Sequence, residues 1–302
     1  MPCAFVVSPS YSGSTLLSIL LAHHPHLATL GEFLDNHARR YRDGEGDFCS
    51  CGERLSSCPY MLDLAERVRA VGMDFSVDFP DTAFWGGTGL QQRILRAYVR
   101  GPGFETARRL AVALTPSARR TVARIVERNT RVIAAVLEGE GASVYLDSAK
   151  NNNRVLFFHR YAAEMDVRVI WLIRDGRGVA TSIMRHRECD LSTAIEQWKT
   201  TQTSVMHTVA LFPADRVLKL HYEDLCTRPA EALERTCRFL GLDPALMPAR
   251  YGDLTLHLTG NNMRLKGLSE IRVDTRWEQT LTEADLQVFE RDGGALNREL
   301  GY

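Results

Sequence analysis

Four short apolar runs punctuate the chain, at 4–7, 143–146, 167–173 and 216–220. Each is bounded by polar or turn residues and is short enough to predict a buried strand. Between them the apolar positions follow helical spacing. Leu16, Leu17, Leu20 and Leu21 share a face, as do Val122, Ile125, Val126, Ile133, Val136 and Leu137. Ala232, Leu233, Cys237 and Leu240 form a third stripe, ended by Gly241 and Pro244. A last helix is predicted from Thr282, with Glu283 and Asp285 in its first turn and Leu286, Phe289 and Leu296 on its apolar side. Strands alternating with helices predict right-handed βαβ units: an α/β chain with a parallel sheet flanked by helices. Ligands of such sheets sit at the carboxyl ends of the strands, so the loops after the four runs are where chemistry is expected. Residues 72–118, rich in Gly, Pro and Arg, give the weakest pattern and read as part of an insertion beside the sheet.

Composition narrows this picture. The 302 residues suit one large α/β domain or two small ones; the reading adopted is one domain over 1–302 with a helical, Arg-rich insertion at about 60–140. Hydrophobic residues make up 45% and charged residues 25%, enough for a core. Lys plus Arg equals Asp plus Glu at 37 each, so no basic field marks a nucleic-acid binder. No apolar run approaches the roughly 20 residues of a membrane span. The run from Leu16 to Ala22 is broken by Ser18 and follows a loop rather than a basic segment, so no secretory signal is expected. Seven cysteines, an odd number, argue against a complete disulfide framework. The expectation is a cytoplasmic, reducing-compartment protein.

The first predicted strand runs into "SPSYSGSTLL", a turn that looks like a phosphate-binding loop without its lysine. Ser8 stands at the first glycine, Gly13 at the second, Thr15 at the hydroxyl, and Ser14 where lysine belongs. Backbone N–H groups and the positive end of the next helix make an anion site without a charged side chain, and Ser12, Ser14 and Thr15 add hydroxyls. The third run closes on Arg174, and Ser182 follows eight residues later in the next helix. A guanidinium and a hydroxyl near a helix N-terminus suit a second phosphate, with Arg177 as a further donor. The bland alternatives are an ordinary strand-turn-helix corner and surface ion pairs among Arg174, Asp175 and Arg177.

Two anion sites on adjacent strand ends suit a nucleotide phosphorylated at both ends of its ribose. The pair resembles the signatures of sulfotransferases that use 3′-phosphoadenosine 5′-phosphosulfate (PAPS). Residues 8–17 are similar to that family's 5′-phosphosulfate loop, and 170–182 to its 3′-phosphate element. The resemblance continues through Gly31–Glu32, "DSAK" at 147–150, "HYEDL" at 221–225, "FLGL" at 239–242 and "GNNMR" at 260–264. It is closer to the bacterial and tyrosylprotein or carbohydrate branches than to the small-phenol branch, and it implies the sulfotransferase fold, a P-loop-like sheet. One departure stands out: Tyr11 occupies a position where the family usually has Arg or Lys. A phenol carries no positive charge, so another cation must serve. Lys150 is the first choice, matching a lysine that contacts the sulfonate in the tyrosylprotein branch; Arg264 and Lys266 are the reserves.

The resemblance implies sulfuryl transfer from PAPS to a hydroxyl or amine, leaving adenosine 3′,5′-bisphosphate (PAP). The departing phosphate gains charge and needs preorganised donors, here the amides of Ser12 to Thr15 and Lys150. That phosphate is a good leaving group, so no metal is required. The acceptor needs a base; Glu32 matches the glutamate of the tyrosylprotein branch, with Asp147 as the competing carboxylate. Asn261 with Arg264 is expected as a late clamp on the phosphates. Tyr222 matches a position that contacts adenine, against the plain reading of an aromatic strand-end residue. His24, in an "HP" pair, reads as structural. The acceptor is unreadable among small molecules, carbohydrates, lipids and peptides, and so is the oligomeric state. Two other readings compete: a P-loop kinase using Asp147 as metal carboxylate, and a non-catalytic nucleotide-binding module.

Two features lie outside this scheme. Cys49, Cys51 and Cys58 could hold zinc with an outside ligand such as His37, form one disulfide, or pack as reduced thiols; C-x-C is not the usual finger spacing. Residues 93–131 carry ten arginines against two glutamates. They read mainly as a solvated helix face, with a docking surface backed by Leu95, Tyr98, Val99 and Phe104 as the alternative.

Overall fold

The structure is a computed structural model that describes residues 1–33, 47–84, 89–252, 254–265 and 271–302. Five strands form one parallel sheet: β1 (Pro2–Val7), β2 (Leu27–Thr29), β3 (Val144–Asp147), β4 (Asp166–Ile173) and β5 (Val217–His221), in the order β2-β3-β1-β4-β5. The four predicted strands are present. β2 is an addition, three residues long and too short to leave a periodic signature. Phe5 stands opposite Asp147 on one side and Val169 on the other.

Alternation along the strands sorts the core. Cys3, Phe5, Val7, Tyr145, Val167 and Val169 face one apolar cluster. Ala4, Val6, Val144, Leu146, Ile170 and Leu172 face the other, as the two-residue side-chain period of a strand requires. Helix α1 (Ser14–Leu21) follows β1. Helices α2 (Pro59–Ala70), α3 (Leu90–Arg96), α4 (Pro102–Leu114) and α5 (Pro116–Glu140) come between β2 and β3. Three of these four begin on proline, whose missing N–H costs nothing in a first turn. Then come α6 (Asn152–Tyr161), α7 (Gly176–Arg187), α8 (Leu191–Val209), α9 (Tyr222–Thr227), α10 (Pro229–Leu240), the single turn α11 (Trp277–Thr280) and α12 (Glu283–Leu300). Thr282 and Asp285 close a capping box on α12. No described helix is long and apolar enough to cross a membrane.

The arginines of 93–131 depart from a purely solvated face. Arg128 donates to the carbonyls of Pro80 (2.7 Å) and Asp74 (2.6 Å), and Arg131 to that of Val71 (2.9 Å), so the helix pins the segment beside it. Arg108 is buried against Glu105 at 3.1 Å. The apolar backing expected for a docking surface is also largely spent, because Leu95 and Val99 are in the core.

The strand order positions the site. The chain leaves β1 toward β2 and β3, and leaves β4 toward β5. The connections after these two neighbouring central strands therefore diverge, opening a crevice at their carboxyl ends.

Candidate functional site

A cleft of about 620 Å³ occupies that crevice, within the size range of small-molecule sites. Its wall brings together Tyr11, Gly13, Ser14, Thr15, Glu32, Lys150, Arg174, Ser182, Tyr222 and Asn261. These come from the ends of β1, β2, β3, β4 and β5 and from one distant segment.

The turn after β1 is shaped by two left-handed residues, Tyr11 (φ 67°) and Gly13 (φ 91°). Gly13 caps α1 without any side-chain cap, so the first-turn N–H groups are free for an anion. A Cβ on Gly13 would stand 2.4 Å from the Tyr222 ring, so the position demands glycine for space as well as for φ. Ser12 is buried, and its Oγ has no hydrogen-bond partner. Unlike its neighbours in the loop, Ser12 does not line the cleft.

Arg174 emerges from β4 into the same place. Its Nη1 donates to the Tyr11 carbonyl at 2.8 Å, and its Nη2 donates to the carboxylate of Asp274 at 3.1 Å. The guanidinium lies over the Tyr222 ring, 4.6 Å from its centroid. The two candidate anion loops thus touch. Ser182 lies on α7, where its hydroxyl donates to the Gly178 carbonyl at 2.9 Å. Arg177 turns aside: it pairs with Asp175 and stacks on Trp277. Arg276 holds the Asp274 carboxyl well below the usual carboxylate range; burial opposes this and Arg174 adds to it. Burial pushes the Tyr222 phenol above its ordinary value, so it stays a neutral donor, to the Arg272 carbonyl at 3.4 Å.

At the other end of the cleft Lys150 Nζ donates to Glu32 Oε1. Lys150 has a left-handed backbone (φ 54°), the kind of outlier that concentrates at functional sites. Gly31 and Glu32 are fixed by a parallel bridge to Thr259; the Glu32 N–H donates to the Thr259 carbonyl at 3.1 Å. Gly260 packs directly on the Glu32 side chain.

Three expectations need correction. Arg264 is not part of the cleft wall: it is buried and pairs with Asp47 at 2.8 Å, while donating to the Phe48 and Gly260 carbonyls. It braces the Asn261 turn and does not clamp the cleft. Asp147 is committed too: it accepts from Arg154 Nε at 2.7 Å and from the Ala149 N–H at 2.9 Å, leaving it as neither base nor metal carboxylate. Tyr222 does not present an open face: one side packs on Gly13 and the Arg174 guanidinium covers the ring. Lys266 and His37 lie outside the described residues. His24 is buried, with its ring nitrogens on Asp243 and His26 main-chain groups.

The cleft also holds residues that sequence reasoning missed: Arg185, His186, Arg272, Asp274 and Arg276. His186 stacks on Tyr11, ring centroids 4.9 Å apart. Burial, then Arg185 and Arg276, lower its pKa. The cations crowding the Tyr11 side thus come from α7 and the segment before α12. Arg185 and His186 were within reach of a one-turn count from Ser182; Arg272, Asp274 and Arg276 had no such signal.

Comparison with known proteins places this architecture. Residues 165–245, from β4 to just beyond α10, match the sulfotransferase family. No curated protein matches the chain. Among solved structures, the sulfotransferase domain of the Synechococcus PCC 7002 olefin synthase is similar over 100% of this chain and 95% of its own, at 21% identity and a TM-score of 0.51. The sulfotransferase domain of the curacin biosynthetic pathway aligns over 96% of this chain and 97% of its own, at 16% identity and a TM-score of 0.49. The sheet and its flanking helices are the sulfotransferase fold, and the stretch from β4 to α10 is similar in sequence to the sulfotransferase family.

Proposed function

We propose that this protein transfers a sulfuryl group from PAPS to a hydroxyl or amine of its acceptor, leaving PAP. The observation that carries the reading is the contact between the two anion loops, Arg174 Nη1 on the Tyr11 carbonyl at 2.8 Å, at one end of a cleft whose other end holds Glu32 and Lys150. One doubly phosphorylated ribose spans loops that touch. The N–H groups of Ser14 and Thr15 hold the 5′-phosphate, while Ser12 lies buried behind the loop, outside the cleft wall. Arg174 and Ser182 hold the 3′-phosphate, with Arg185 and Arg276 adding field. Tyr222, packed against Gly13 and covered by Arg174, props the two loops from below, and Asn261 forms the outer lip.

The reaction exchanges the sulfur–oxygen bond to the 5′-phosphate for one to the acceptor, and the acceptor's proton leaves. Glu32 takes that proton as general base. Lys150, now on Glu32, would share itself with the sulfonate, supplying the cation that Tyr11 lacks. As Glu32 becomes neutral, the ammonium loses its carboxylate partner and turns to the developing phosphate charge. The commitment of Asp147 to Arg154 and the missing lysine at Ser14 both weigh against kinase chemistry.

Arg174→Ala tests the nucleotide assignment. It should weaken PAP by about 10- to 100-fold in calorimetric titration, as loss of charged hydrogen bonds does, while adenosine 5′-phosphate binds nearly as before. Equal losses for the two nucleotides would remove the 3′-phosphate role.

A further inference from the structure

The three clustered cysteines meet a fourth partner that lies 199 positions away from Cys58 in the chain. His257 Nδ1 lies 3.5 Å from Cys49 Sγ and 3.3 Å from Cys58 Sγ. Cys51 Sγ lies 3.7 Å from Cys58 Sγ. All four ligand atoms fall within 4.8 Å of one another. A zinc ion at the centre of a tetrahedron, with Zn–S of about 2.3 Å and Zn–N of about 2.0 Å, sets two sulfurs about 3.8 Å apart and sulfur and nitrogen about 3.5 Å apart. The Cys49–His257, Cys58–His257 and Cys51–Cys58 pairs stand near those edges. A disulfide needs about 2.0 Å between sulfurs, and all three cysteines are free thiols.

We propose that Cys49, Cys51, Cys58 and His257 form a structural zinc site. The set of three sulfurs and one nitrogen is soft and closed, which favours zinc over magnesium or calcium. Local structure presents each ligand. The Cys49 N–H donates to the Glu53 carbonyl at 2.8 Å and the Gly52 N–H to the Cys49 carbonyl at 3.0 Å, folding the C-x-C pair into a knuckle. Cys58 is fixed at the N-cap of α2. The His257 ring is stacked on Tyr60 with centroids 4.6 Å apart and planes 2° from parallel. The Ser50 N–H donates to the Leu258 carbonyl at 3.0 Å, and the Leu258 N–H to Ser50 Oγ at 2.7 Å, zipping the two strands of ligands together. Cys49 and Cys58 are fully buried, so the ion is shielded from water.

The site acts on the cleft through the chain that leaves it. Two residues after His257, Thr259 bridges Gly31, and the next four residues line the cleft beside Glu32. Zinc would fasten that wall to the α2 side of the sheet. Binding releases the three thiol protons to solvent as the thiolates bind the metal.

The test is metal analysis of the full chain, expressed with zinc in the medium and purified under reductant without chelator. About one zinc per chain is expected, released by a mercurial thiol reagent. His257→Ala and Cys51→Ser should lose it, whereas His257→Cys, which supplies a fourth thiolate, should retain it. Cobalt taken up in its place should show thiolate-to-metal charge-transfer absorption, a reading that needs no variant to fold. A folded wild-type chain holding no more zinc than Cys51→Ser would overturn the proposal. So would iron in place of zinc, or a Cys51–Cys58 disulfide found by peptide mapping of the native chain. None of these outcomes depends on sulfuryl transfer.

Discussion

The two ends of the cleft are built differently. The Gly13–Arg174 end rests on the exits of the two central strands, β1 and β4, which pair along all six residues of β1. Its parts are held by main-chain geometry: a left-handed glycine, an uncapped helix and a guanidinium on a carbonyl. The Glu32–Lys150 end rests on β2 and β3, farther out in the sheet, and on a segment more than 100 residues away at Thr259–Met263. One main-chain bridge, Gly31 to Thr259, sets its frame, but its polar groups are held by side chains, with one ion pair at the centre. Backbone-held geometry suits a ligand that never changes. Side-chain-held geometry suits a group that must gain and lose a proton, and a wall that can be rebuilt for another acceptor.

If that contrast is right, the two ends can be damaged separately. Glu32→Gln should have the largest effect: a fall in kcat of about 10²–10⁴-fold for a lost general base, with PAP affinity kept in calorimetric titration. A matching loss of affinity would mean that Glu32 organises the nucleotide end too. Lys150→Ala comes next. Removing one donor to developing charge costs about 10²-fold in kcat, and single-turnover measurements should show slow chemistry with binding largely intact. An unchanged rate would move the missing cation to Arg185 or Arg276. Gly13→Ala should act the opposite way. The left-handed backbone alone costs about 1–2 kcal/mol, and the added methyl would meet Tyr222. Thermal unfolding should register the strain, and PAP affinity should fall more than the rate at saturating nucleotide. A rate loss exceeding the affinity loss would erase the distinction between the ends.

The same contrast explains what could be read from sequence. The sheet was legible because β1, β3, β4 and β5 are apolar runs with turn residues beside them, while β2 has three residues and no period. The Gly13–Arg174 end was legible as two segments that meet because each is contiguous: Tyr11 to Thr15 in one loop, Arg174 to Ser182 in another. Glu32 and Lys150 were reached through resemblance, but nothing in their spacing says that they touch across 118 positions. Arg264 was misassigned because its place in the "GNNMR" segment fixes its neighbourhood and not its direction; Asp47 decides that. Asp274 and Arg276 follow residues with no motif. The two helices of 90–114 were blurred by arginine, although Pro102 marks the start of the second. His257 was beyond any spacing rule, since only the folded chain carries it to the cysteines.

Asp274 gives the Gly13–Arg174 end one further property. Its carboxylate already occupies the guanidinium of Arg174 and is kept ionised by Arg276. On the proposed function an arriving phosphate meets a filled seat, and docking there is an exchange of one anion for another. The net gain is a difference between two charged pairings, smaller than either alone. A singly held anion such as free sulfate gains little from that trade. A molecule anchored elsewhere in the cleft can evict the carboxylate and keep the place.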